Sequence, residues 1–277
     1  MKRQLICLFW LMVISVSAET PLVILHTNDT HSQLEPFPAD DPRNPDLGGI
    51  VRREALCREV RSTEPNVLYF ESGDFLQGTP YFNLFKGEAE IRLMNYLKPA
   101  AVTLGNHEFD NGIHFLAAIL KQATFPVVCT NYDVSGTELK KYVKPWLIVK
   151  SGKLRVGIVS ANINPEGLIA KPGNEGLIWL DPLKTVDERA AWLKKRKQCD
   201  LVICLSHLGF RMGEKEADDL KLAAGSRNID VILGGHTHSF FKEPVIQKNL
   251  DGHDVMINQV GTAGIYVGRL DLKVGKR

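Results

Sequence analysis

The feature that most constrains the fold is a series of short apolar segments, each of which ends in a small group of polar residues. The segments read LVILHTNDTH, VLYFESGD, AVTLGNHEFD, LVICLSH and VILGGHTH. Short apolar runs rich in valine, isoleucine and leucine are typical of buried strands. Helix-like stretches with apolar residues at helical spacing occupy residues 111–122 and 182–197. Strands that alternate with helices predict an α/β domain with parallel strand pairing.

Other segments predict antiparallel additions, so that the sheets are mixed. WLIVKSGKLRVGIVS predicts a β-hairpin that turns at Ser151 and Gly152, and only strand-like segments follow Phe240. Residues 35–46 contain four prolines and show no periodicity, which indicates an irregular surface loop. We find no internal repeat and no linker, and therefore predict one domain after the first 18 residues.

Residues 1–18 have the pattern of a secretory signal peptide. A basic start with Lys2 and Arg3 precedes an apolar run over residues 5–14, and small residues lie just before Glu19. The apolar run is shorter than a membrane span requires. We therefore expect an exported protein, periplasmic or extracellular, with residues 19–277 as the mature chain. A buried N-terminal helix is the alternative.

Charge and cysteine content exclude several classes of partner. Removal of Lys2 and Arg3 with the leader leaves 32 basic and 32 acidic residues, and no basic run is interleaved with aromatic residues. We therefore predict no nucleic-acid binding and no membrane span. An exported chain could oxidise the four remaining cysteines, which allow three pairings, but none forms a C-x-x-C pair, so their pairing is left open; these are Cys57, Cys129, Cys199 and Cys204.

The polar residues at the strand ends are the candidate functional residues. They are Asp29, His31, Asp74, Asn106, His107, Asp110, His207, His236 and His238. Taken singly, each group could be an ordinary turn or helix cap. Independent turns, however, have no reason to carry Asp, His and Asn at successive strand ends, where the ligands of α/β domains gather. The joint pattern therefore predicts one site.

Two adjacent divalent cations could use this set of side chains. Zinc, manganese, iron and cobalt accept imidazole nitrogen and carboxylate oxygen, and two such ions about 3.5–4 Å apart can hold a phosphoryl group. Two aspartates, one asparagine and four histidines supply the ligands, including a carboxylate that can bridge. His107 is then surplus to ligation and free to face the substrate, and Asp110 could orient it.

The motifs also resemble those of a known family. DTH, GD, GNHE, SH and GHTH, in this order, resemble the signature of the calcineurin-like metallophosphoesterases. The longer segments ILHTNDTH, GDFLQGTPYF, LGNHEFDNG and GGHTH are similar to the 5′-nucleotidase and UDP-sugar hydrolase branch. The resemblance extends from residue 22 to about residue 274. It implies an α/β fold, a four-layer α-β-β-α sandwich with two mixed sheets.

The resemblance also assigns roles to the candidate residues. It implies one metal held by Asp29, His31, Asp74 and His238. It implies a second held by Asp74, Asn106, His207 and His236, with Asp74 as the bridge. His107 is similar to the family's catalytic histidine, Asp110 to its carboxylate partner, and Asn106 also stabilises the phosphoryl oxygens. Some members carry glutamine in place of His238, so the identity of the two divalent metals (Zn, Mn, Fe or Co) is left open.

The activity implied is that of an exported phosphohydrolase with two metals, resembling a 5′-nucleotidase. A hydroxide held between the metals would attack a small phosphate ester, which we expect to be a nucleotide. One alternative is another ester on the same metals: a phosphodiester, a nucleotide-sugar diphosphate or a sulfur ester. A second alternative is a non-catalytic metal-binding module. His107 and Asp110 argue against that module, because neither is needed to hold metal.

The long 5′-nucleotidases carry a C-terminal domain that recognises the nucleotide. Residues 19–277 align with the catalytic part alone, so we expect no nucleotide-recognition domain within them. A separately encoded recognition domain is then a candidate partner.

Overall fold

The computed structural model describes residues 19–169 and 173–275. The predicted signal peptide, residues 1–18, lies outside the described residues. The strands are β1 (Thr20–Thr27), β2 (Val67–Glu71), β3 (Ala101–Val102), β4 (Val127–Val128), β5 (Tyr132–Asp133), β6 (Val143–Lys144), β7 (Leu147–Ser151), β8 (Leu154–Asn162), β9 (Ile178–Trp179), β10 (Leu201–His207), β11 (Val231–Leu233), β12 (Val245–Lys248), β13 (Asp254–Asn258) and β14 (Gly268–Val274). The helices are α1 (Ile50–Thr63), α2 (Pro80–Phe85), α3 (Glu88–Leu97), α4 (Ile113–Leu120), α5 (Pro182–Lys197) and α6 (Asp219–Gly225), with short 3₁₀ turns at His107–Phe109 and Glu138–Lys141.

Two six-stranded sheets form the centre of the fold. The first has the order β14-β1-β2-β3-β4-β6, and the second has the order β12-β13-β11-β10-β8-β7. The inner strands of each sheet pair in parallel, whereas β14, β12 and β7 are antiparallel to their neighbours. The predicted mixed sheets are therefore confirmed. The antiparallel strands come from the hairpin and the strand-rich tail, as the sequence indicated.

Alternating side chains along the strands build three apolar layers. In β1, Leu22 and Ile24 pack between the two sheets, while Val23 and Leu25 face the helices α1, α3 and α4. The second sheet follows the same rule, because Ile203 faces the first sheet and Val202 packs toward α5 and α6. Successive residues of a strand point to opposite faces of its sheet. The result is the predicted four-layer α-β-β-α sandwich.

The finer sequence predictions compare well with the observed elements. The helix predicted over 182–197 is α5, and the hairpin predicted at Ser151 and Gly152 is the β7–β8 pair. The helix predicted over 111–122 is α4, which is shorter. It begins at Ile113, because its N-cap residue Gly112 has a φ of 89°, and it ends at Leu120. Residues 35–46 form an irregular loop, and the four cysteines are free and buried. No helix within 19–169 and 173–275 has the length and apolarity that a membrane crossing requires.

The parallel strands of both sheets end at the same side of the sandwich. Thr27 at the end of β1 pairs with Glu71 at the end of β2, and Leu205 of β10 pairs with Leu233, the last residue of β11. Hydrogen bonds join the two sheets at this side: Ser72 Oγ donates to Leu233 O at 2.8 Å. The loops that follow these strands therefore meet in one place.

Candidate metal centre

Backbone hydrogen bonds hold the loops that follow β1 and β2 side by side. Asp29 N donates to Gly73 O at 2.9 Å, and His31 N donates to Asp74 O at 2.9 Å. The loop after β11 joins them, because His236 N donates to both carboxylate oxygens of Asp29 at 3.0 Å. Loops from both sheets thus place their polar side chains in a single cluster.

One group of potential ligands consists of Asp29, His31 and His238. Their ligand atoms all lie within 4.8 Å of one another. His238 Nε2 is 3.3 Å from Asp29 Oδ1 and 3.1 Å from His31 Nε2. Two nitrogens that bind one zinc ion at about 2.0–2.1 Å in a tetrahedral site lie about 3.3 Å apart. The spacing therefore fits two ligands of one cation.

A second group consists of Asp74, His207 and His236, whose ligand atoms also lie within 4.8 Å of one another. His207 Nδ1 lies 2.8 Å from Ser72 O, to which it can donate, so that Nε2 is left to face Asp74 Oδ2 at 3.0 Å. Metal-binding histidines are commonly oriented in this way by a carbonyl behind the ring. His207 Nε2 is buried, and the oxygen that it faces belongs to another predicted ligand, as is expected of two atoms that would bind one cation.

The remaining predicted ligand, Asn106, lies against the second group. Its Oδ1 is 3.1 Å from His236 Nδ1. The two groups adjoin, because His207 Nε2 is also 3.9 Å from Asp29 Oδ1. All seven side chains predicted to bind metal are therefore in one cluster, and their chemistry fits two divalent cations.

The charges in the cluster favour a cation. Asp29 and Asp74 are 0% and 2% exposed, and their ion-pair neighbours within the described part of the chain are histidines. Burial lowers the pKa of His207, but Asp74 and then Asp29 outweigh this effect and raise that pKa to about 10. Carboxylates that hold a proton on this ring would also attract a divalent ion, so metal binding should release a proton.

The backbone of the cluster is strained. Of the twelve non-glycine residues with positive φ in the described segments, five belong to it: Asp29, His31, Asp74, His236 and His238, with φ from 46° to 73°. Positive φ is uncommon in residues other than glycine, and such strain is concentrated at functional sites. The backbone strain is therefore evidence for a functional site, and this evidence is independent of the chemistry of the side chains.

Two glycines make room for the cluster. A Cβ at Gly105 would overlap Asp74 Oδ1 and lie 2.6 Å from His207 Nε2. A Cβ at Gly235 would lie 2.9 Å from His207 Nδ1 and 3.1 Å from Asp29 Oδ2. The glycines that precede Asn106 and His236 are thus required by the close packing of the polar side chains.

His107 and Asp110 lie at the rim of the cluster. His107 Nδ1 is 2.8 Å from Asp110 Oδ2 across the 3₁₀ turn, and its ring centroid is 5.4 Å from that of His31. Burial lowers the pKa of His107, but the hydrogen bond with Asp110 and the nearby carboxylates raise it above its ordinary value. A histidine held in this way is suited to proton transfer.

The sequence analysis gave no role to Glu108, whose buried side chain holds the backbone of two loops of the site by hydrogen bonds. This buried carboxylate accepts hydrogen bonds from the backbone N–H groups of Asp74 at 2.9 Å, Leu76 at 3.0 Å and Gly105 at 2.5 Å. It therefore ties the loop after β2 to the loop after β3. The available sequence signal was the position of Glu108 as the last residue of the GNHE motif.

Comparison with known proteins identifies the family. Residues 22–240 match the family described as calcineurin-like phosphoesterase. The chain belongs to this family. The predicted resemblance, and the prediction of a metal-dependent phosphoric ester hydrolase, are therefore confirmed at the level of the family.

Several members of this family are similar over nearly the whole chain. Human 5′-nucleotidase is 32% identical over 92% of this chain and 47% of its own length. Snake venom 5′-nucleotidase of Naja atra is 32% identical over 91% of this chain and 50% of its own length. A crystal structure of a 5′-nucleotidase precursor from Thermus thermophilus has a TM-score of 0.82 and 36% identity, and covers 91% of this chain and 51% of that one. The chain thus spans about half the length of the relatives it matches.

The role of Glu108 can be tested by replacing it with glutamine. We expect Glu108→Gln to lower the free energy of unfolding by about 1–3 kcal/mol, because an amide NH₂ would face a backbone N–H donor. Urea unfolding followed by circular dichroism measures the loss. Glu88→Gln, at a half-exposed carboxylate on α3, is the matched control. Equal stabilities for the two variants would contradict the role assigned to Glu108.

Proposed function

We propose that the chain is a phosphohydrolase that uses two divalent metal ions to cleave phosphate esters of nucleotides. Asp74 is the shared ligand of the two ions in this proposal. The other ligands are Asp29, His31 and His238 for one ion, and Asn106, His207 and His236 for the second. The observation that carries the proposal is the meeting of two groups of metal ligands around buried carboxylates, with a paired histidine and aspartate at their rim.

The residues divide the work of such a reaction. When bound, two such ions activate water and neutralise charge on the phosphoryl oxygens. Asn106 offers a neutral amide oxygen, so it adds no negative charge beside an anionic substrate. With Nδ1 of His107 paired to Asp110, its Nε2 is the nitrogen available to a substrate. His107 then donates the proton that the departing alkoxide requires, and Asp110 orients the ring.

Several related proteins support nucleotides as the substrate class. The human and Naja atra relatives are 5′-nucleotidases. A solved NAD nucleotidase of Haemophilus influenzae, with 28% identity and a TM-score of 0.80, indicates that the fold also serves a dinucleotide. Phosphodiester, nucleotide-sugar diphosphate and sulfur-ester hydrolysis remain alternatives on the same ligands.

A substrate panel with metal removal tests the proposed activity. The protein is treated with a chelator, and Mn²⁺, Zn²⁺ or Co²⁺ is then added back. We expect release of phosphate from nucleoside monophosphates only after a metal is restored, with slower or no cleavage of UDP-glucose, cyclic AMP and thiosulfate esters. Inactivity toward nucleoside monophosphates with all three metals would overturn the proposal, whichever other ester is cleaved.

Replacement of His107 separates catalysis from metal binding. We expect His107→Ala to lower kcat by about 10²–10⁴-fold and to leave the bound metal content unchanged. His114→Ala is the matched control, because His114 is an exposed histidine paired to Glu138 at 3.0 Å. Loss of metal from His107→Ala would mean that His107 is a ligand.

In Asp110→Asn, we expect the high-pH decline of kcat to begin at lower pH, because the hydrogen bond that raises the pKa of His107 is weakened.

We also propose that the protein is exported and that cleavage before Glu19 gives the mature chain. The support is the basic start, apolar run and small residues of the first 18 positions. Expression of the full-length chain followed by mass spectrometry of the product tests this. We expect a mature N-terminus at Glu19 in the exported fraction; a protein that retains Met1 in the cytoplasm would contradict it.

A further inference from the structure

A cavity of about 320 Å³ opens directly beside His236. Its walls come from the loop after β8, from β9 and from the loop after β10, and they include Leu168, Trp179, Leu208 and Met212. Pockets for small organic ligands have volumes of about 300–1,000 Å³. The cavity is thus large enough for one ring system and adjoins the proposed metal centre.

The walls of this cavity are mainly apolar and contain one large aromatic ring. The indole N–H of Trp179 donates to Asn162 O at 3.2 Å, so its polar atom is used inside the protein. The half-buried ring packs partly against the apolar core beside the first sheet, and its exposed part lines the cavity. Leu168 leaves 50% of its surface exposed at the edge. Apolar walls that include a tryptophan and a methionine favour a flat, polarisable ring.

The cavity wall formed by the loop after β10 is fixed in place. Buried Asp218 accepts a hydrogen bond from Met212 N at 3.0 Å, and Lys221 Nζ donates to Gly213 O and Glu216 O at 2.6 and 2.7 Å. Gly209 has a φ of 93°, and a Cβ there would lie 2.9 Å from Met212 Sδ. A wall that is held in advance costs little ordering entropy when a ligand binds.

The charges at the cavity decide which kind of group fits. Glu166 and Glu216 line it together with Lys215. Two carboxylates against one ammonium group disfavour a second phosphate at this position, whereas they can accept hydrogen bonds from the edge of an uncharged heterocycle. A base attached to a single phosphate therefore fits better than a diphosphate.

We propose that this cavity binds the base of a nucleoside monophosphate, with Trp179 as the stacking platform, while the phosphate lies at the metal centre. The proposal rests on the proposed function and places contact with the base in a wall of residues 19–277 itself and not in a separate recognition domain. It makes Trp179 and Met212 determinants of specificity, since neither belongs to the proposed ligand set or to the His107–Asp110 pair.

Kinetics on two substrates test this proposal, with AMP and ribose 5-phosphate differing only by the base. We expect Trp179→Ala to raise KM for AMP by about 5- to 150-fold, the range for loss of one base–aromatic stack. The kcat for AMP, the KM for ribose 5-phosphate and the metal content should not change. Trp179→Phe should restore most of the affinity. Trp192→Ala is the matched control, because Trp192 packs on Trp146 elsewhere on the second sheet.

Calorimetric binding of adenosine gives a readout that needs no catalysis. We expect adenosine to bind the wild-type chain and Trp179→Phe, and to bind Trp179→Ala and Met212→Ala more weakly. If thermal unfolding shows that Trp179→Ala is misfolded, Met212→Ala replaces it as the variant that tests the cavity. Equal adenosine binding by wild type and these variants, or none by wild type, would overturn the cavity proposal even if AMP is hydrolysed. If adenosine binding depends on Trp179 but no phosphate is released from AMP, the proposed hydrolase activity would be refuted and the proposed base-binding cavity would be supported.

Discussion

The burial of Asp29 and Asp74 is the constraint on which the rest of the site depends. Both carboxylates lie in the interior with histidines as their ion-pair neighbours among the described residues. Removing a charged group from water costs several kcal/mol, which hydrogen bonds such as those from His236 N to Asp29 and a close opposite charge together offset. The strained loops, the two glycines and the orientation of His207 all bring such a charge close. Without metal, this charge is the proton on the His207 ring. In our proposal, the bound metal ions supply it.

Both sheets contribute to this cluster, so cations bound there would link them. Asp29, Asp74 and Asn106 follow strands of the first sheet; His207 is the last residue of β10 in the second sheet, and His236 and His238 follow β11. Protein contacts already fasten the sheets at this end: Ser72 Oγ donates to Leu233 O, and Asn162 Nδ2 donates to Leu104 O. Because ligands from both sheets would share the ions, metal affinity and fold stability should be coupled.

Residue patterns predict the fold and the composition of the cluster but not its supports. The apolar segments predicted strands with mixed pairing, and the motif resemblance implied the two sheets, the four layers and the predicted ligands. Helix α1 is harder to recognise, because its buried face includes Arg53 as well as Ile50 and Cys57. The role of Glu108 depends on the paths of two loops, and the cavity at Trp179 depends on three chain segments. Neither arrangement leaves a periodic signal in the sequence.

The shared position of Asp74 is the centre of the proposed metal site, and one measurement tests it most directly. Crystals of the protein soaked in Mn²⁺ would be measured with X-rays at the manganese absorption edge. We expect two anomalous peaks about 3.5–4 Å apart, with Asp74 bound to both, Asp29, His31 and His238 around one, and Asn106, His207 and His236 around the other. A single peak, or two peaks with Asp74 bound to only one, would contradict the shared-carboxylate site.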